Sequence, residues 1–271
     1  MLAAALRSAG YEVVAATRVS PLLPGIAQLP AEEVARAGRD LLLIAVPDDA
    51  LDGVVARLAA ARAFRRGQIV AHTSGAHGLE VLRLATALGA RPLALHPAMT
   101  FTGTEADLVR LRGISYGVTA AEDLRAEAAH IVADLGGFPE WIIDARRVIY
   151  HTSLAHGANH LVTLVNEAAD RLREAGVVQP EKVLRPLLEA ALDNALRMGD
   201  NALTGPVSRG DAGTIARHVE ALRDTPSLPA YLALARRTAD RAIASGRLRA
   251  TDAEALLDVL ASIDHAVGAT R

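Results

Sequence analysis

The sequence predicts an α/β protein in which a doubly wound, mostly parallel Rossmann-like sheet is followed by an all-helical domain. In the first half, short apolar runs alternate with helical patterns, which is typical of a parallel sheet covered on both faces. Beyond Asp144 the strand-like runs stop and long helical patterns follow. We therefore predict a sheet domain over residues 1–144 and a helical domain over residues 145–271.

The elements follow from these patterns in chain order. Strands are predicted at residues 12–16, 41–46, 68–72, 92–96, 114–118 and 140–143. Helices between them are predicted at 49–63, 79–88 and 121–135. Helices of the second domain are predicted at 146–175, 180–198, 213–222, 227–245 and 252–267.

The first eighteen residues, MLAAALRSAGYEVVAATR, are typical of the end of a helix, a turn at Gly10 and a strand. In a dinucleotide-binding domain a strand and a Gly-x-Gly-x-x-Gly turn come before these elements. The printed sequence lacks that turn. We expect a start codon assigned too late; the alternatives are a variant that does not bind the cofactor, or a different fold.

Composition excludes several classes of function. A net charge of −2 gives no electrostatic basis for binding nucleic acid or an anionic membrane. The absence of cysteine excludes disulfides and thiolate catalysis, and no apolar run has the length of a membrane helix. Without a recognisable signal peptide, we expect a cytoplasmic protein.

Polar residues follow the predicted strands, where open parallel sheets bind their ligands. The candidates for cofactor contact are Val46, Pro47, Asp48, Thr73 and Ser74, although helix capping is the first expectation for the Asp48 side chain. His96, at the end of another strand, is a candidate for substrate contact.

Two further residues bear on the choice of nucleotide. The strand over residues 12–16 is followed by Arg18 and Ser20, where NAD-preferring domains carry an acidic residue. A guanidinium and a hydroxyl suit a 2′-phosphate, which favours NADP. The alternative is a surface arginine.

The segment YHTSLAHGANH opens the helical domain. On a regular helix His151 and Asn159 are about 80° apart, which forms a polar stripe that needs partners or a cavity. His156 and His160 share a face, but without a third ligand we expect no metal site.

The segment ALTGPVSRGD lies between two predicted helices. Thr204 and Arg209 are candidates for binding a carboxylate, since a guanidinium can hold one through two hydrogen bonds. The alternative is a loop with ordinary turn residues and a helix cap.

Taken together, the segments LLLIAVPDDAL, AHTSGAHG, ALHPAMTF, YHTSLAHGANHLVTLVNEA and ALTGPVSRGDAGTIARHVEAL resemble the DUF2520 family of Rossmann-like proteins. The family is similar to the 6-phosphogluconate dehydrogenase-like reductases, which include ketopantoate reductase and the coenzyme F420-dependent NADP reductases. The resemblance implies NADP(H) binding, a cleft between the domains for a small-molecule substrate, and a homodimer formed through the helical domain.

The resemblance also implies catalytic roles. Ketopantoate reductase-like enzymes carry a lysine where this sequence has His151, and Lys182 lies too far along the chain to replace it. We therefore expect His151 to donate a proton and Asn159 to orient the substrate carbonyl. Arg209 and Thr204 would hold a carboxylate, and Ser74 and His96 would border the nicotinamide.

Three functions remain open at this stage. The first is an NADP-dependent oxidoreductase acting on a small keto acid-like carbonyl compound. The second is an imine reductase, which needs the same proton donor and carboxylate contact. The third is a dimeric nucleotide- or metabolite-binding protein without catalysis, which the missing glycine turn and the replaced lysine favour.

Overall fold

The computed structural model describes residues 1–17, 26–38 and 40–268. The chain divides into two compact units, Met1–Leu161 and Val162–Arg271. The division lies just inside a helix that begins at His160, later than the boundary predicted at Asp144.

The first unit contains the strands. They are β1 (Val14–Ala15), β2 (Ala27–Gln28), β3 (Leu41–Ile44), β4 (Ile69–His72), β5 (Arg91–Pro97), β6 (Ser115–Ala120) and β7 (Phe138–Trp141). Its helices are α1 (Leu2–Ser8), α2 (Ala31–Ala37), α3 (Asp48–Ala60), α4 (Arg83–Ala87), α5 (Ala106–Arg110), α6 (Arg125–Asp134) and α7 (Arg147–Leu154).

The main sheet has five strands in the order β3-β4-β5-β6-β7. Neighbours are parallel except for β5 and β6, which are antiparallel. β1 and β2 form a separate two-stranded parallel sheet. The mostly parallel α/β prediction is confirmed, and all six predicted strands are present.

Both faces of the main sheet are covered, as a doubly wound fold requires. Ile69 and Ala71 of β4 belong to the apolar cluster that includes Ile131 of α6. Val70, between them, belongs to the opposite cluster with Val55 of α3. Successive side chains of a strand point to opposite faces, so β4 is buried on both.

Several details differ from the sequence prediction. The short elements β2, α2 and α5 were not predicted, because two to seven residues are too few to show a periodicity. The predicted helix 79–88 is a 3₁₀ turn at Leu79–Leu82 followed by α4. The expected cap at Asp48 is wrong: Pro47 precedes α3, and Asp48 is its first residue.

The second unit is helical. It contains most of α8 (His160–Glu174), then α9 (Pro180–Met198), α10 (Ala212–Leu222), α11 (Leu228–Ala244) and α12 (Ala250–Gly268). Its core joins α10, α11 and α12 through buried side chains such as Ile215, Leu232 and Leu256. Among the described residues, no helix is both long and apolar enough to cross a membrane.

Candidate functional site

The carboxyl ends of β4 and β5 bring polar side chains together in the first unit. His72 is the last residue of β4 and is fully buried, and it pairs in register with Ala94 of β5. His96 follows two residues later on β5. Ser74 and Gly75, just beyond β4, are also buried. This is the edge at which the sequence predicted ligand contacts.

Helix α7 places two more rings at this edge. The hydroxyl of Tyr150 lies 3.0 Å from Nδ1 of His96, within hydrogen-bonding distance. The rings of His96 and His151 stand edge to face, with centroids 5.7 Å apart. His96, Tyr150 and His151 therefore form one cluster of partly exposed polar rings, which we call the His–Tyr cluster.

The backbone of Gly75 lies directly against the rings of His96 and His151. A Cβ at this position would lie 2.5 Å from Cδ2 of His151 and 3.0 Å from Nε2 of His96. Any side chain here would displace the rings, so glycine permits their close approach. The same contacts place Nε2 of His96 beside the backbone of Gly75, while Nδ1 faces Tyr150.

A buried arginine fixes α7 to the sheet. Arg147 is 0% exposed. It donates to the carbonyl of Ser74 at 2.7 Å, the hydroxyl of Thr119 at 3.0 Å and the carbonyl of Gly117 at 3.3 Å. Its Nε has no partner, and no carboxylate within the described parts of the chain forms an ion pair with it. A buried cation therefore lies beside the histidines.

Burial and this cation keep two histidines neutral. Burial lowers the pKa of His72 to about 4, and the charge of Arg147 acts in the same direction. Burial also lowers the pKa of His96 to about 4, with His151 and Arg147 as further causes. At neutral pH each ring therefore has one donor and one acceptor nitrogen. Nε2 of His72 donates to the carbonyl of Gly78 at 3.0 Å, which leaves its buried Nδ1 without a partner.

The loop after β4 is tied down by its own hydrogen bonds. The hydroxyl of Ser74 accepts from the backbone amides of His77 at 3.0 Å and Ala76 at 3.3 Å. Further along, the carboxylate of Asp144 accepts from the amide of Leu79 at 2.8 Å. The Ser74 side chain thus shapes the loop, while its carbonyl is held by Arg147.

The other predicted cofactor contacts fall at the same edge or outside the described residues. Val46 lies two residues beyond β3 and is partly buried, and Pro47 and Asp48 are exposed at the start of α3. Thr73 is partly buried beyond β4, and its amide donates to the carbonyl of Ile44. Arg18 and Ser20 lie outside the described residues.

Between α7 and α8 the helix widens into a π-helical segment, Ala155–Asn159. The 100° spacing that related His151 to Asn159 does not apply across this segment, where hydrogen bonds run from i to i+5. Asn159 is exposed. π-helical insertions are frequent at functional sites, and this one begins four residues after His151.

The adjacency predicted for His156 and His160 is confirmed, with their Nδ1 atoms 3.1 Å apart on an exposed face. Over the described ranges, no group of three or more histidine, aspartate or glutamate residues is arranged to hold a metal ion.

The predicted substrate residues Thr204 and Arg209 lie in the second unit. Both line a cavity of about 420 Å³. Their role in substrate binding stays a prediction. His72 and Gly75 lie at the strand end where the sequence predicted ligand contacts, whereas Arg147 and Tyr150 were not predicted as site residues. Arg147 and Tyr150 lie four and one residues before His151, so they share its helix, but their contacts with β4–β6 have no sequence signal.

Comparison with known proteins agrees with the fold. Residues 1–97 match the model of a Rossmann-like domain, and residues 114–238 match that of a domain of unknown function, DUF2520. No curated protein sequence matches the chain.

Three solved structures illustrate the likeness. A candidate NADP oxidoreductase from Bacteroides fragilis has 20% identity and a TM-score of 0.74, over 88% of this chain and 93% of that one. A reductive aminase from Aspergillus terreus, in complex with NADPH and ethyl levulinate, has 20% identity and a TM-score of 0.66, over 91% and 90%. A pyrroline carboxylate reductase from Plasmodium falciparum, with NADP bound, has 11% identity and a TM-score of 0.58, over 94% and 93%. At these identities the likeness shows a shared fold.

Proposed function

We propose that this chain, which combines a Rossmann-like domain with a DUF2520 domain, is an NADP(H)-dependent oxidoreductase that reduces a small carbonyl compound such as a keto acid. The observation that carries the proposal is the His–Tyr cluster, which lies over Gly75 at the carboxyl ends of β4 and β5. Parallel sheets of this class bind their ligands at that edge.

The residues at this edge fit a nicotinamide nucleotide. Val46 and Pro47 offer apolar surface after β3, which suits one face of a flat ring. Thr73 offers a hydroxyl, and the buried Nδ1 of His72 is an acceptor without a partner. Arg18 and Ser20 remain our proposed contacts for a 2′-phosphate. When bound, the nucleotide would supply a hydride.

The chain's own contribution is the proton. We assign proton donation to His151, since an imidazole commonly acts as a general acid near neutral pH. His96 is neutral and is held by Tyr150, so its Nε2 can orient a polar group placed beside His151. Arg147 contributes a fixed positive charge that favours the anionic oxygen formed when a carbonyl is reduced. Asn159 remains a proposed contact for the substrate carbonyl.

The test combines cofactor binding with turnover. We expect saturable NADPH binding, followed by nicotinamide fluorescence, with weaker binding of NADH. In a screen of keto acids, His151→Ala should lower turnover by about 10²–10⁴-fold while NADPH affinity is retained. His156→Ala, on the exposed π-helical face, is the matched control and should keep wild-type turnover. Unchanged turnover in His151→Ala would refute the assignment, and absence of NADPH binding would favour a non-catalytic protein.

A second candidate is reduction of an imine. Two of the solved structures with this fold are a reductive aminase and a pyrroline carboxylate reductase. Imine reduction needs the same hydride, and the His–Tyr cluster offers the same proton donor. Product analysis with a keto acid, alone and with an amine, and with a cyclic imine distinguishes the two reactions.

We also propose that the protein is a homodimer whose interface includes α9. This helix of nineteen residues buries only Pro180 and Leu184 among its side chains. Its large exposed apolar side chains are Val183, Leu187, Leu192, Leu196 and Met198. A helix with so little burial is marginal in water by itself, so a second copy covering this surface would stabilise it.

A further inference from the structure

The cavity around Arg209 in the second unit is lined by more positively charged than negatively charged side chains. The His–Tyr cluster includes none of them. The cavity lining includes Arg209, Arg247 and Arg249, but a single carboxylate, Asp252. That carboxylate is already taken: Arg249 donates to it twice, Nε to Oδ2 at 2.7 Å and Nη2 to Oδ1 at 2.9 Å.

Two guanidinium groups are left without an acceptor. Neither Arg209 nor Arg247 makes an ion pair or a side-chain hydrogen bond to any part of the chain that the structure describes. The charge of Arg209 helps to lower the pKa of Asp211. The carboxylate of Asp211, however, caps α10 by accepting from the amide of Thr214 at 3.0 Å. Arg209 and Arg247 therefore line one cavity, and their N–H donors remain available to a ligand.

The walls of this cavity are held in place by close packing. Gly210 has φ +72°, and a Cβ there would lie 2.7 Å from the carbonyl oxygen of Asp252. The turn that carries Arg209 therefore packs directly on the first turn of α12, beside Arg247. Buried Ser208 donates to the carbonyl of Gly205 at 3.1 Å, which closes the turn. Arg209 and Arg247 therefore lie on two segments that pack against each other.

We propose that this cavity, the Arg209–Arg247 site, binds the phosphate group of a small ligand. Arginines on two different segments, together with the hydroxyl of Thr204, offer donors from several directions, which matches a group with three terminal oxygens better than a planar carboxylate. The volume of about 420 Å³ admits more than a bare anion and falls in the range of small-molecule sites. The proposal is independent of the reductase function, because it assigns Thr204 and Arg209, for which the family resemblance implies contact with a substrate carboxylate, to a separate ligand instead.

The experiment is calorimetric titration of the full chain at low, fixed ionic strength. The probes are inorganic phosphate, phenyl phosphate, acetate and succinate. We expect both phosphates to bind at one site per chain and more tightly than either carboxylate; tighter binding of phenyl phosphate would indicate an organic phosphate as ligand, and equal binding the free anion. Preference for a carboxylate would overturn the phosphate assignment.

Substitutions locate the site. Arg209→Gln and Arg247→Gln should each weaken phosphate binding about tenfold or more, because each removes charge-assisted hydrogen bonds. Arg247→Lys, which keeps the charge but not the paired donors, should fall between wild type and Arg247→Gln. Arg237→Gln makes the same charge change at an exposed position of α11 and should bind as wild type does.

Circular dichroism checks that the variants, altered only at exposed side chains, remain folded. Phosphate binding that is absent in wild type, or that survives both Arg→Gln substitutions, would overturn the proposal. NADPH binding, measured on the same samples, should be unaffected, so failure here is distinct from failure of the reductase function.

Discussion

The neutral state of His72 predicts a specific dependence of stability on pH. Its pKa is lowered to about 4 in the folded protein, against an ordinary value of 6.5. Between these values the unfolded chain binds a proton that the folded chain does not. The contribution to stability is therefore complete above pH 6.5 and is lost as pH falls toward 4. A difference of 2.5 units corresponds to about 3 kcal/mol, or about 1.4 kcal/mol per pH unit.

The variant His72→Gln removes this titrating group and leaves every other titrating side chain in place. The difference in free energy of unfolding between wild type and variant should be constant above pH 6.5 and should shrink by about 3 kcal/mol by pH 4. The assay is urea denaturation followed by the fluorescence of Trp141. Since Trp141 is the only tryptophan and lies on β7, its emission reports the unit that contains His72.

Val70→Ala is the matched control, because it removes buried apolar volume from the same strand without removing a titrating group. It should lower stability by about 2 kcal/mol at every pH. The argument that His72 is held neutral would be refuted if the difference in free energy of unfolding between wild type and His72→Gln were the same at pH 7 and pH 4.

Two further predictions test the site and the assembly. Gly75→Ala should lower the stability reported by Trp141 by about 1–3 kcal/mol, because the new Cβ meets the ring of His151, whereas Gly53→Ala, with open space around it inside α3, should stabilise by up to about 1 kcal/mol. Leu187→Glu should convert a dimer to monomers in sedimentation experiments, and a wild type that is already monomeric would exclude the α9 interface.

The sequence was sufficient for the sheet because buried parallel strands are short, apolar and bounded by turn residues. Residues 69–72 read IVAH, and all four are buried. The helix α9 was predicted with the bounds it has, since Pro180 opens it and Gly199 ends it with φ +55°. By contrast, the two-residue strand β2 has exposed side chains and no pattern to detect.

The candidate site was only partly predictable. His96 and His151 could be proposed from strand-end position and from a family resemblance, but 55 residues separate them, and their edge-to-face contact at 5.7 Å depends on how α7 packs on β5 and β6. The π-helical segment was also unpredictable, because AHGAN contains no residue that forbids an ordinary α-helix. The regular α-helical spacing of 100° per residue therefore does not describe the angle between His151 and Asn159.

Arg147 explains why these parts meet where they do. A buried cation without a carboxylate partner costs stability, and apolar replacements of buried charges are often neutral or stabilising. Here its donors instead hold the carbonyl of Ser74 beyond β4 and two groups of β6. His151 lies one turn further along α7, at the i+4 position on the same face. The bonds that fix Arg147 to the loop at Ser74 therefore place His151 over the next residue, Gly75, so the arginine positions the proposed proton donor and supplies positive charge beside it.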